Sequence, residues 1–168
     1  MIFKLKFMNN IKFFLLTFIM VTLSACKWFS KEEKPKLVII NVLDKMLYND
    51  CHIKGSINVP FEEFEQYSKT LDKDTHVVVY CSNYMCTASG AAAKMLKNLG
   101  FQHVWAYEAG MAEWYQKGYP VEPKDVCKEK YLTMQISKPE NEESDIQVIT
   151  TDELKDKIKN MLSPSIFS

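Results

Sequence analysis

Val77-Val78-Val79-Tyr80-Cys81-Ser82-Asn83-Tyr84-Met85-Cys86-Thr87-Ala88-Ser89 runs from a β-branched segment, through a cysteine, into an alanine-rich stretch. Consecutive apolar residues with no polar alternation read as a strand covered on both faces, as in a parallel sheet. The loop 82–87 then leads into a helix on which Ala92, Met95, Leu96 and Leu99 share one face, with Gly100 placed to end it. A cysteine between a strand and a helix start stands where backbone N–H groups converge. Those donors and the positive helix end stabilise a thiolate and any anion beside it. A thiolate is the nucleophile that sulfur or phosphoryl transfer requires.

Outward from this stretch the same alternation repeats. Leu37-Val38-Ile39-Ile40-Asn41-Val42 reads as a buried strand, and Pro60 opens a helical stretch in which Phe61, Phe64 and Tyr67 recur. Val104 to Tyr107 gives a third strand, and Met111 to Lys117 a short helix ended by Gly118 and Pro120. Strands alternating with helices predict an α/β fold: one domain, a parallel sheet flanked by helices. In such sheets ligands bind beyond the carboxyl ends of the strands, where Cys81 stands.

The 168 residues carry a formal net charge of zero, which gives no basis for electrostatic capture of nucleic acid. All 21 basic residues are lysine, so the bidentate clamp that arginine offers to phosphate is missing. Lys4, Lys6 and Lys12 precede an apolar run from Phe13 to Leu23, and then Leu23-Ser24-Ala25-Cys26. An apolar core this short, with a basic flank and small residues after it, reads as a secretion signal. Leu-Ser-Ala-Cys resembles the bacterial lipobox, which implies acylation of Cys26 and an exported domain held at a membrane, facing the periplasm or the cell surface. The expected organisation is a signal peptide over 1–25, a tether over 26–36, the domain over 37–123, a polar linker over 124–145, and a strand–helix over 146–162. Cys51, Cys81, Cys86 and Cys127 remain, an even number that invites disulfides in an exported protein. With no CxxC and histidines scattered at 52, 76 and 103, no metal site and no cofactor is expected.

Four marks in order, from Leu37 to about Glu122, resemble the rhodanese family. They are the first buried strand, Cys51-His52-Ile53-Lys54-Gly55-Ser56-Ile57-Asn58-Val59-Pro60, the Tyr80-Cys81 loop, and Ala109-Gly110-Met111-Ala112-Glu113-Trp114 with Gly118-Tyr119-Pro120. The family usually shows GHIxGAxNxP and GGxxxW at the second and fourth places. The resemblance implies a sulfurtransferase. Cys81 takes the sulfane sulfur of a small anionic donor such as thiosulfate or polysulfide, holds it as a persulfide, and yields it to a thiol acceptor. Ser82, Asn83, Tyr84, Met85, Cys86 and Thr87 then supply the donor-binding cradle.

This chain departs from the common pattern at Asn41-Val42-Leu43, where Asp-Val-Arg is usual, and at Cys51, where glycine is usual. Cys81, Cys86 and Ser89 look like the C-x4-C-x2-S subgroup. Cys86 is open to three readings: a resolving thiol, a disulfide partner of Cys81, or a packed loop residue. Two other functions stay in view, a thiol–disulfide oxidoreductase using Cys81 and Cys86, and a non-catalytic binding module. A phosphatase of the cell-division-cycle type needs Cys-x5-Arg, and position 87 is threonine.

Rhodanese-like domains commonly open with a strand and a helix reading like Ile-x-x-x-Glu-Leu, and no such unit precedes Leu37. Ile146-Gln147-Val148-Ile149-Thr150-Thr151-Asp152-Glu153-Leu154 looks like that opening, with Thr150 and Glu153 spaced as a capping box. Leu154, Ile158, Met161 and Leu162 line one face at helical spacing. The tail is therefore expected to pack back on the domain, as in a circular permutation.

Overall fold

The structure, a computed structural model, describes residues 36–123, 130–137 and 146–167. The signal segment, Cys26, Cys127 and most of the tether and linker lie outside the described residues. The β-branched runs form the expected strands: β1 (Leu37–Asn41), β4 (His76–Tyr80) and β5 (Val104–Tyr107). With β3 (Ile57–Asn58) they make a parallel sheet in the order β3-β1-β4-β5. A separate antiparallel ribbon joins β2 (His52–Ile53) to β6 (Val121–Glu122).

Val77, Val78, Val79 and Tyr80 are wholly buried because both sheet faces are covered. Val77 and Val79 pack with Phe64 of α2 (Phe61–Ser68) and with Ala92, Ala93 and Leu96 of α3 (Ala88–Asn98). Val78 and Tyr80 pack on the other face with Met111 and Trp114 of α4 (Gly110–Gln116). This two-sided cover is the physical reason the strand carries no polar alternation. A short helix, α1 (Lys45–Asp50), lacked an apolar face to announce it. It starts where the Asp44 carboxylate accepts from Leu47 N at 2.9 Å.

The 51–60 motif is scaffolding. The buried Tyr80 hydroxyl accepts from Ile53 N at 3.0 Å and meets Ser56 Oγ at 2.9 Å. Asn58 Nδ2 donates to the carbonyls of Leu43 and Asn41, at 2.8 and 3.3 Å. These bonds pin the connection that carries β3 to the sheet edge. His52 Nδ1 lies 2.8 Å from the Tyr48 carbonyl and its ring stacks on Tyr48, a local structural role. Cys51 is buried and disulfide-bonded, its partner lying outside the described residues.

The C-terminal tail does pack back. Ala106 N donates to the Gln147 carbonyl and Ile149 N to the Ala106 carbonyl, each at 3.0 Å, so Val148 pairs in parallel beyond β5. The capping box forms at Thr150 and Glu153 and opens α6 (Thr151–Met161). Ile149, Leu154 and Ile158 enter the same core cluster as Trp114, with Met161 packed against it.

The expected apolar face is one residue too long. Leu162 is 38% exposed, since the helix ends there and the chain turns away. The stretch 124–145, expected to be all polar linker, contains a turn of helix, α5 (Lys130–Thr133), with Tyr131 buried. Lys130 Nζ meets Asp50 at 3.4 Å, and Gln116 Nε2 donates to the Tyr131 carbonyl at 2.7 Å. One aromatic among charges makes no periodicity, so the sequence carried no signal there.

Candidate active site

Cys81 follows directly on β4, and its backbone is gripped by α4. Met111 N donates to the Cys81 carbonyl at 3.0 Å and Ala112 N to the Ser82 carbonyl at 2.9 Å. This docking requires Gly110. Its φ is +61°, and a Cβ there would stand 2.7 Å from the Cys81 carbonyl oxygen and 2.8 Å from Asn83 N. With these carbonyls turned towards α4, the loop is held against that helix while the Cys81 sulfur faces Ser89 Oγ of α3 at 3.4 Å.

Two of the loop amides expected in the cradle are used within the loop itself. Cys86 N donates to the Asn83 carbonyl at 3.0 Å and Met85 N to Asn83 Oδ1 at 3.3 Å, so both are spent on closing the turn. The Ser82 hydroxyl donates to Asn83 Oδ1 at 3.4 Å. Met85 and Thr87 are exposed on either side of Cys86. Thr87 holds the N-cap position of α3 without a side-chain cap bond.

The two thiols are free and differ sharply in surroundings. Cys81 is wholly buried, its Sγ 3.1 Å from the Cys86 carbonyl, 3.4 Å from Ser89 Oγ and 3.8 Å from the Asn83 carbonyl. Cys86 is half-buried. The neighbouring Cys86 side chain, and then burial, push the Cys81 pKa far up, while the neighbouring Cys81 side chain draws Cys86 down to about 5 against burial.

Tyr84 links the loop to the rest of the molecule. Its hydroxyl donates to Glu113 Oε2 at 3.4 Å, and the other Glu113 oxygen accepts from Thr151 Oγ1 at 2.5 Å. Thr151 also meets the buried Tyr107 hydroxyl at 2.9 Å. Glu113 and Thr151 escaped the sequence reading because nothing in local spacing joins residues so far apart. Ser89 and Gly110 did carry signals, in the C-x4-C-x2-S spacing and the Gly-x3-Trp mark.

Residues 27–117 match the rhodanese-like domain family. The thiosulfate sulfurtransferase GlpE of Coxiella burnetii is 30% identical over 82 residues, covering 49% of this chain and 75% of that protein. An HTH-type transcriptional regulator of Mycobacterium tuberculosis is 28% identical over 92 residues. That match covers 55% of this chain and only 40% of the regulator. A solved rhodanese-3-like domain from Anabaena sp. is 32% identical with a TM-score of 0.47, covering 51% of this chain and 98% of that one. More than half of the sequence thus falls within one family match, in the region that holds the sheet and the cysteine loop: the chain belongs to the rhodanese-like domain family.

Proposed function

We propose that the domain is a sulfurtransferase whose cysteine loop takes sulfane sulfur from a small anionic donor, such as thiosulfate or polysulfide. The sulfur is held as a persulfide, which the resemblance assigns to Cys81, and passes to a thiol acceptor. The observation that carries this reading is the free Cys81 thiol directly after β4, at the carboxyl end of the sheet, with Ser89 Oγ of α3 at 3.4 Å from its sulfur and a second free thiol, Cys86, in the same loop. A thiol placed between a strand end and a helix start suits attack on an anionic sulfur donor. Thiosulfate-dependent thiocyanate formation from cyanide tests it, with Cys81→Ser/Cys86→Ser as the inactive control. Wild-type protein that neither forms thiocyanate nor retains sulfur would leave a non-catalytic binding module.

The second reading is thiol–disulfide exchange, favoured by the two free thiols carried on one loop. There Cys81 attacks a disulfide, and Cys86 resolves the mixed disulfide. Turnover of a disulfide substrate with no sulfur transfer would select it.

An exported, lipid-anchored location with acylation at Cys26 remains part of the proposal. The basic, apolar, Leu-Ser-Ala-Cys order supports it, as does the disulfide at Cys51, a bond that persists outside the reducing cytosol. Intact mass of the membrane-extracted protein tests it, and an unacylated Cys26 would overturn it.

A further inference from the structure

On loop 82–87 the Tyr84 side chain reaches out to another helix. Its hydroxyl meets Glu113 Oε2 at 3.4 Å, long for an O–H···O bond. The other oxygen of that carboxylate is held hard. Thr151 Oγ1, at the first residue of α6, donates to Glu113 Oε1 at 2.5 Å, and Lys117 Nζ stands 3.3 Å from the same oxygen. Proton counting sets the direction of this chain. A carboxylate only accepts, and threonine has one hydroxyl proton, which goes to Glu113. The buried Tyr107 hydroxyl, 2.9 Å from Thr151 Oγ1, therefore donates to it. Donors run from β5 through the tail to Glu113, and from the loop to Glu113 on its other side. A polar network with every member paired holds its parts in one arrangement.

Glu113 directly follows Met111 and Ala112, whose amides hold the Cys81 and Ser82 carbonyls. The helix α4 therefore grips the loop twice, by backbone at its start and by the Glu113 side chain at Tyr84. Asn83 lies between the two grips. Its carbonyl accepts from Cys86 N and its Oδ1 from Met85 N, so the turn it closes sets where the Asn83 and Cys86 carbonyls stand. Those carbonyls are 3.8 and 3.1 Å from the Cys81 sulfur, which has no exposed surface. The cover over the thiol is thus only as well placed as Tyr84. We propose that Glu113 and Thr151 are positioning residues for Cys81: the tail fixes Glu113, Glu113 holds Tyr84, and Tyr84 sets the loop over the sulfur. The inference deepens the sulfurtransferase reading and rests on it for the reaction concerned. It gives the tail a part in the site besides completing the core. Neither residue touches the reacting atoms; both act through the loop.

The test separates loop geometry from stability. Full-length reduced protein is loaded from thiosulfate, and the sulfur gained is followed by mass against time. Tyr84→Phe and Thr151→Val should each slow loading roughly fivefold, as the loss of one hydrogen bond in the chain allows. The loss should fall on the first-order rate and leave the half-saturating thiosulfate concentration unchanged. Thr151→Ser, which keeps the hydroxyl, should restore the rate. The double variant should be no slower than either single one, because both break the same chain. Thr150→Ala, which weakens only the cap of α6, should load like wild type. Two readouts need no donor: amide exchange at 83–87, and alkylation of Cys81 by iodoacetamide, located by peptide fragmentation. Both should quicken in Tyr84→Phe and Thr151→Val and stay unchanged in Thr150→Ala. Tyr84→Phe touches nothing in the tail and keeps the test open should Thr151→Val fold poorly. Additive losses in the double variant, or unchanged loop exchange in Tyr84→Phe, would overturn the inference while leaving sulfur transfer standing. Failure of wild type to load from thiosulfate or polysulfide would overturn sulfur transfer itself, and exchange and alkylation would then decide the tail's hold on the loop.

Discussion

The tail 146–161 lies along the β5 edge of the sheet and the cysteine loop 81–87 at the carboxyl end of the interior strand β4, and the two are held by different forces. The tail is fastened mainly by burial: Ile149, Leu154 and Ile158 sink into the core beside Trp114, with a single β-bridge to Ala106. The loop is fastened by directional bonds, from Met111 N, Ala112 N and the Asn83 turn, across the closest backbone approach made by a glycine here. Burial is additive and tolerant of small shifts, which suits a segment that has only to complete the core. Hydrogen bonds fix orientation, which suits a segment that must hold a thiol in one place. The difference predicts that damage to the tail costs stability first, and damage to the loop costs reactivity first.

Removing everything after Asp145 should have the largest effect. Each of the three buried tail side chains contributes about 1.5–3 kcal/mol, so their joint loss rivals the roughly 5–15 kcal/mol that holds a whole domain together. Thermal unfolding by circular dichroism should show a collapse of the cooperative transition. An unchanged Tm would dissolve the contrast, because the tail would then be a passenger. Leu154→Ala is the milder form, expected to cost about 2–5 kcal/mol with sulfur loading retained in the folded fraction.

Gly110→Ala attacks the other region. The added methyl meets the Cys81 carbonyl at 2.7 Å with φ held at +61°, so loop and helix must part. Strain of this kind costs about 1–3 kcal/mol, less than Leu154→Ala at its upper end. Sulfur loading should nevertheless fall far more than it does in Leu154→Ala. Equal losses of activity in the two variants would mean that the loop is not specially dependent on its bond geometry.

Thr150→Ala removes one half of the capping box of α6 and should cost about 1 kcal/mol, read as a small drop in Tm. Smaller still in stability, but diagnostic for the site, is pH. Cys86 is depressed to about 5 in the folded protein, so its ionised form is present above that value and is lost as pH falls through it. Alkylation of Cys86 by iodoacetamide should therefore stay level through neutrality and decline only below about pH 5. A profile that rises instead through the ordinary thiol range would show that Cys86 is not depressed in solution.

Much of this molecule was readable from the chain alone, because the deciding signals were local. Val77 to Tyr80 announced a strand buried on both faces, Gly100 and Gly118 marked helix ends, and Thr150 with Glu153 announced the cap of α6. The tail's resemblance to a missing opening unit was likewise visible, since periodicity and capping survive any relocation along the chain. Tertiary structure decided the rest. Whether Leu162 would be buried depended on where the helix leaves the core, and Tyr131 found its pocket only because α4 and Asp50 came to meet it. The cysteines show the limit most plainly. Spacing named both Cys81 and Cys86, but burial and the direction of nearby carbonyls give the two thiols unlike surroundings, and neither quantity exists until the loop is closed against Gly110.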